Sequence, residues 1–263
     1  MPLFKKGDTN DVTNYRAICL LSSISKVFEI HIRNEMVSFF NRHKLLSDAQ
    51  YGFTKLKSTE DALCNFQIKI IDALEKKLSV IGLFVDFSRA FDLVSHEILI
   101  SKLERYGFRG VPLDLLTSYL SGRKQYIKVN DKKSNSFILN VGVPQGSILG
   151  PFLFLVFAND LIRCLEVHEN AFVASYADHT NVIICGNDLE TAKRKTEIVY
   201  HDILVWSDKN HLILNNGKTN LVLFSNNDSS ICNGLTILEN TENSVSTCTF
   251  TKMLGVTFDT TLR

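Results

Sequence analysis

Apolar positions recur along the chain with two periods, and the alternation between them predicts its elements. Ser58-Thr59-Glu60-Asp61 has the pattern of a helix capping box, and apolar residues follow at Ala62, Phe66, Ile70, Leu74 and Leu78. That spacing predicts a helix with one buried stripe. The run Val80-Ile81-Gly82-Leu83-Phe84-Val85 is apolar throughout and predicts a strand ending on Asp86. Ser95 to Tyr106 reads as a helix stopped by Gly107, Pro112 to Leu120 as another, and a strongly apolar helix begins at Phe152. Leu189, Ala192, Val199, Ile203 and Trp206 mark a long amphipathic helix. Two hairpins are legible. Gln125–Val129 and Ser136–Leu139 flank a polar turn, and Ala171–Ser175 and Asn181–Cys185 flank Tyr176-Ala177-Asp178-His179. Short strands follow at Leu221–Phe224, Leu235–Leu238 and Met253–Val256. This order predicts an α+β fold, an antiparallel sheet covered by helices on one face.

Composition narrows the function only by exclusion. With 263 residues, 45% of them hydrophobic, the chain can build one large domain or two modest ones and is not disordered. Lys and Arg total 29 against 28 Asp and Glu, a net charge of +1. Any nucleic-acid footprint must therefore be local. Basic residues do gather early, at Lys5, Lys6, Arg16, Lys26, Arg33, Arg42, Lys44, Lys55 and Lys57, a cluster that a solvated face would also explain. Six cysteines, at positions 19, 64, 164, 185, 232 and 248, form no CxxC pair and no zinc spacing. That usage predicts a reducing, intracellular compartment. Cys64 and Cys185 lie in apolar segments and are predicted to be buried. The first residues lack the apolar stretch of a signal peptide, and the run Pro151 to Ala158 is too short to span a bilayer, so no membrane association is expected.

The chemistry gathers at two carboxylates. Asp86 ends one predicted strand, and Asp178 sits in the turn of a distant hairpin. Strand-end carboxylates from separate segments can converge on a metal ion. The surrounding motifs carry a resemblance. They are Leu3-Phe4-Lys5-Lys6-Gly7-Asp8, Asn14-Tyr15-Arg16-Ala17-Ile18, Gln50-Tyr51-Gly52-Phe53 with Ser58-Thr59, Val85-Asp86-Phe87-Ser88-Arg89-Ala90-Phe91-Asp92, Ser118-Tyr119-Leu120-Ser121-Gly122-Arg123-Lys124-Gln125, and Gly142-Val143-Pro144-Gln145-Gly146-Ser147-Ile148-Leu149-Gly150-Pro151. In this order and spacing the six blocks resemble the reverse transcriptase domain of non-LTR (LINE-type, jockey-like) retrotransposons.

The resemblance implies a right-hand polymerase palm with partial fingers, residues 1–80 mainly fingers and 81–263 mainly palm. It implies RNA-directed DNA synthesis on an RNA template and DNA primer, from deoxynucleoside triphosphates. Two Mg2+ ions would be held by Asp86 and Asp178, about 3.5–4 Å apart, at the attacking and leaving oxygens. Phe91 corresponds to the aromatic residue that blocks a ribose 2′-hydroxyl, although a core phenylalanine has the same pattern. Gln145 and Gly146 correspond to the glycine-rich segment that approaches the incoming nucleotide. Arg16, with Lys5 and Lys6, is similar to the triphosphate-holding cluster, where arginine suits bidentate phosphate contacts; the two lysines fit a solvated surface equally. Lys218 matches the lysine that donates a proton to departing pyrophosphate, or is an exposed turn lysine. Leu254-Gly255 resembles the tight turn of the primer-grip hairpin.

Three positions depart from the family pattern. His179 stands where a second aspartate is usual, Ala17 where proline is usual and Thr54 where arginine is usual. His179 removes a negative charge beside the expected cations, and imidazole suits zinc or copper better than magnesium. Extension with magnesium is therefore expected to be weak or absent, as in a decayed copy; the alternative is a catalytically dead nucleic-acid or protein binding module. The residues after Leu254-Gly255 are too few for a thumb, so the reading is a fingers-plus-palm piece of a longer element, thumb absent.

Overall fold

The computed structural model describes residues 1–129, 131–225, 235–239 and 241–262, with only the backbone of Thr13 included. In chain order the elements are β1 (Pro2–Phe4), β2 (Tyr15–Ala17), α1 (Ser23–Arg42), α2 (Thr59–Glu75), β3 (Ser79–Ser88), α3 (His96–Arg105), α4 (Val111–Leu120), β4 (Arg123–Gln125), β5 (Lys128–Val129), β6 (Lys132–Lys133) and β7 (Phe137–Leu139). There follow α5 (Gly150–Glu166), β8 (Ala171–Tyr176), β9 (His179–Gly186), α6 (Leu189–Lys209), β10 (Ile213–Leu214), β11 (Asn220–Phe224), β12 (Thr236–Ile237), β13 (Val245–Ser246), β14 (Phe250–Met253) and β15 (Val256–Asp259). Two compact units form, each from two stretches of chain. The first is Met1–Leu46 with Arg89–Phe157, and the second is Ser47–Ser88 with Ala158–Arg263.

The second unit is built around β3. Its apolar run is continuous because the strand is paired on both sides and buried on both faces. Antiparallel β9 runs along most of its length, from Ser79 opposite Gly186 to Asp86 opposite His179. On the other side lie β11, which pairs Phe224 with Val80, and β10, which pairs Ile213 with Ser88. β8 closes the sheet outside β9. One face of β3 packs on α2, where Phe66 and Phe84 have ring centroids 5.5 Å apart. Phe258 of β15 meets the same Phe66 edge-on at 5.8 Å. The opposite face carries α6, with Trp206 5.9 Å from Phe87. Helices thus cover both faces, not one. The long continuous run in β3 is the physical reason, since every side chain from Val80 to Phe87 is buried. Gly82 has a local cause: a Cβ there would meet Phe224 Cε2 at 2.7 Å.

α2 starts as its capping box requires. Ser58 Oγ accepts from the Asp61 amide, and Asp61 returns a bond to the Ser58 amide. It buries Ala62, Phe66, Ile70 and Ala73. Leu78 lies beyond its end and packs on the core from the connecting turn. Cys64 is exposed, contrary to expectation, because it lies two residues from Ala62 on the far side of the helix. Cys185 is buried, as expected, and burial pushes its thiol up. Cys232 lies outside the described residues.

In the first unit β1 and β2 form a hairpin, with Leu3 opposite Arg16. Phe40 of α1 packs on the end of α3 and the start of α5, its ring 5.1 Å from Tyr106 and 5.4 Å from Phe152. Glu29 of α1 is buried and ends at the start of α5, accepting from the amides of Ile148 (2.7 Å) and Leu149 (3.3 Å). A carboxylate is favoured at a helix N-terminus, which explains a buried charge here. The predicted 125–139 hairpin forms in two tiers, β4 with β7 and β5 with β6.

Met253–Val256 is not a strand. Leu254 and Gly255 are the two-residue turn between β14 and β15, with φ of 50° and 91°. Two positive values are what a type I′ hairpin turn demands.

Candidate active site at the hairpin turn

Asp86 lies near the end of β3 and is 7% exposed. The β8–β9 hairpin places Tyr176 opposite His179, so Ala177 and Asp178 alone make the turn. Because His179 also faces Asp86 across the β3–β9 ladder, the sheet register brings the turn to the carboxylate. Donor atoms of Asp86, Asp178 and His179 all lie within 4.8 Å of one another.

Both oxygens of Asp86 have partners. His179 Nδ1 lies 3.1 Å from Oδ1, and Lys218 Nζ lies 3.0 Å from Oδ2. Asn215 adds a second donor to Oδ2 at 3.3 Å, and its backbone amide donates to the Asp86 carbonyl at 2.9 Å. Burial pushes the Asp86 carboxyl up, but the bonds from His179 and Lys218 outweigh it and hold the group below its ordinary range. For His179 the bond to Asp86 is the main influence; with the nearby Asp178 charge it raises the imidazole above its usual value despite partial burial. The donor set of two carboxylate groups and an imidazole fits a single divalent cation. A pair of magnesium ions fits less well, because Mg2+ favours oxygen and the imidazole offers none.

The remaining candidate residues divide between the units. Lys218 joins Asp86 in the second unit, where the Leu254–Gly255 turn also lies. In the first unit Lys5 and Lys6 are exposed on the β1–β2 connection, and Arg16 is exposed on β2. That strand leads to Cys19, whose amide donates to the Gln145 carbonyl at 2.8 Å. Gly146 has φ of 102°, and a Cβ there would lie 3.0 Å from the Cys19 carbonyl. Gln145 Nε2 donates to Asp92 Oδ1 at 2.7 Å. Phe91 stacks on Phe154 at 4.5 Å, and its carbonyl accepts from Val143. The first unit therefore assembles the ends of β2, the Phe91 turn and the glycine-rich segment into one cluster. Asn215 was not singled out from sequence. Its signal lay in Asn215-Asn216-Gly217-Lys218-Thr219, a polar turn between strands, where asparagine commonly bonds nearby backbone.

A central antiparallel strand and an adjacent hairpin turn that bring two carboxylates together define the palm of a nucleotide polymerase. The chain belongs to the reverse transcriptase (RNA-dependent DNA polymerase) family, whose profile matches residues 4–258. It is 33% identical over 210 residues to the probable RNA-directed DNA polymerase from transposon BS of Drosophila melanogaster, covering 78% of this chain and 23% of that protein. It is 30% identical over 240 residues to the RNA-directed DNA polymerase from mobile element jockey of the same fly, covering 89% of this chain and 26% of that protein. Its domain is thus of non-LTR retrotransposon type, and the chain spans about a quarter of the length of these curated relatives. Among solved structures the fold is similar to apo telomerase from Candida tropicalis, with a TM-score of 0.62 and 12% identity, covering 89% of this chain and 44% of that one. Among the described residues no helix is long and apolar enough to cross a membrane.

Proposed function

We propose that this chain is the nucleotide-adding part of a retrotransposon RNA-directed DNA polymerase, attenuated at its carboxylate site. The observation that carries this reading is the meeting of Asp86 and Asp178 at the hairpin turn, inside a chain of the reverse transcriptase family. Asp86 and Asp178 would hold Mg2+, which when bound supplies charge neutralisation at the reacting phosphoryl oxygens. Lys218, an ammonium beside Asp86, is suited to give a proton to departing pyrophosphate. Arg16 with Lys5 and Lys6 would grip the triphosphate, Gln145 and Gly146 would meet the sugar and phosphates, and Phe91 would exclude a 2′-hydroxyl. Leu254 and Gly255 would abut the primer. By this reading residues 1–80 supply mainly fingers and residues 81–263 mainly palm, and the partners are an RNA template, a DNA primer and deoxynucleoside triphosphates.

His179 supports the attenuation. It occupies one Asp86 oxygen at 3.1 Å, where a cation would need that oxygen free, and brings no negative charge of its own. The test is primer extension on an RNA template by the wild type, Asp178→Asn and His179→Asp with Mg2+. Weak wild-type extension, lost in Asp178→Asn and increased in His179→Asp, is expected. Strong wild-type extension unaffected by Asp178→Asn would overturn the assignment.

A further inference from the structure

The short segment Ala49–Gly52 runs beside β8 and is stitched to it. The Ser175 amide donates to the Ala49 carbonyl at 2.9 Å, and the Tyr51 amide donates to the Ser175 carbonyl at 2.8 Å. Gln50 and Ser175 form a parallel bridge. The Gln50 side chain is then turned into the protein, with the residue 1% exposed. Its Oε1 accepts from two backbone amides, Gly52 at 2.8 Å and Ala177 at 3.1 Å. Its Nε2 donates to Ser175 Oγ at 3.3 Å.

Ala177 explains why such a residue is needed. It has φ of 56°, a left-handed conformation that costs a residue with a Cβ roughly 1–2 kcal/mol. It is also the residue immediately before Asp178. A buried amide in a strained turn must find an acceptor, and Gln50 Oε1 is that acceptor. Gly52 has the same cause. A Cβ there would lie 2.6 Å from the Ala177 nitrogen and 3.1 Å from the Tyr176 carbonyl carbon, so only glycine lets this segment come so close to the turn. Two side-chain identities in Gln50-Tyr51-Gly52 are therefore set by a hairpin more than a hundred residues away.

We propose that Gln50 is a positioning residue for Asp178: it locks the strained Ala177 turn so that the Asp178 carboxylate stays within reach of Asp86. Gln50 itself touches neither substrate nor cation. The proposal deepens the reading of Asp86 and Asp178 as a cation site and rests on it. Glutamine suits the task because one carbonyl oxygen has two lone pairs for two amides, while the NH2 group fixes its orientation through Ser175. Glutamate keeps the double acceptor and can take a bond from the Ser175 hydroxyl. Leucine has a similar size and offers no acceptor.

The experiment compares wild type, Gln50→Leu, Gln50→Glu and Gly52→Ala without nucleic acid, by amide hydrogen exchange at Ala177 and by Mn2+ titration. In Gln50→Leu the Ala177 amide is expected to exchange faster, while amides of the β3–β9 ladder keep their protection. Mn2+ affinity should fall roughly 10- to 100-fold, the usual effect of losing a residue that orients a metal ligand. Gln50→Glu should restore most of both. Unchanged exchange at Ala177 in Gln50→Leu, or faster exchange with unchanged Mn2+ affinity, would overturn the proposal, as would failure of Gln50→Glu to recover what Gln50→Leu loses. Should Gln50→Leu not fold, Gly52→Ala displaces the same turn by contact alone, and an unchanged Mn2+ affinity there would overturn it too. If the wild type binds no Mn2+, the cation-site reading fails, and exchange at Ala177 still decides whether Gln50 holds the turn.

Discussion

Asp86 sits between two basic side chains of its own chain, His179 and Lys218, and that arrangement sets different expectations for each neighbour. His179 is held above its ordinary value of 6.5 by its bond to Asp86. Its stabilising effect is therefore complete below that pH and fades as pH rises through the raised value. In the metal-free protein His179→Ala should lower the melting temperature at about pH 6, and the loss should shrink as pH rises through the raised value. An equal loss above and below that value would show that the imidazole acts by packing instead. His179 is half exposed, so the difference is a small one. Lys218 gives a split of another kind. Lys218→Met removes a positive charge and leaves Asn215 as the partner of Asp86 Oδ2, so cation affinity should rise. If Lys218 also donates a proton to pyrophosphate, turnover should fall by roughly 10²–10⁴-fold, the usual worth of a general acid. Tighter cation binding together with slower extension is the signature; a rise in both would leave Lys218 as a competitor for Asp86 and nothing more.

At the scale of elements, the sequence was most legible where one physical signal sufficed. The capping box at Ser58 and the stripe from Ala62 to Ile70 predicted α2, and the structure buries those residues. Phe66 touches both Phe84 and Phe258, so Phe66→Ala should cost about 3–5 kcal/mol in a denaturant titration, as for other buried phenylalanines. A loss below 1 kcal/mol on the same scale would mean that the α2 face is not part of the cooperative core. Legibility failed where two signals compete. Met253-Leu254-Gly255-Val256 is apolar enough to read as a strand, but Leu254 and Gly255 both take positive φ, and turn chemistry overrides hydrophobicity. Cys64 shares the apolar segment of α2 and still faces solvent, because a helix sorts residues by angle, not by neighbourhood. The helices on both faces of the sheet were hidden for a related reason: an unbroken apolar run does not say what covers each side.

At the scale of the whole molecule, the site was legible as residues but not as a geometry. Asp86 and Asp178 stood out because each falls at a strand end, yet their approach depends on the register that sets Asp86 against His179, and no local pattern encodes a register between strands so far apart in sequence. The bonds of Gln50, Asn215 and Lys218 to the site are likewise long-range and had no periodic signal. The division into two interleaved units adds a consequence that sequence order conceals. Asp86, Asp178 and His179, the group that could hold a cation, all belong to one unit, whereas Arg16, Phe91 and Gln145 belong to the other. Cation binding without nucleotide should therefore depend on the first set alone. Asp178→Asn should abolish Mn2+ binding, and Phe91→Ala should leave it unchanged while admitting ribonucleotides during extension. The two variants can be compared by Mn2+ titration and by competition between ribo- and deoxynucleotides in the His179→Asp background, where activity should be easiest to read. Phe91 stacks on Phe154 at 4.5 Å, so its truncation also opens space in the first unit, and a melting curve must accompany the assay. Unchanged sugar discrimination in a folded Phe91→Ala protein would return Phe91 to the core. Lost Mn2+ binding in that same protein would show that the cation site draws on both units, and that the three donors of the hairpin and β3 are not sufficient to hold an ion.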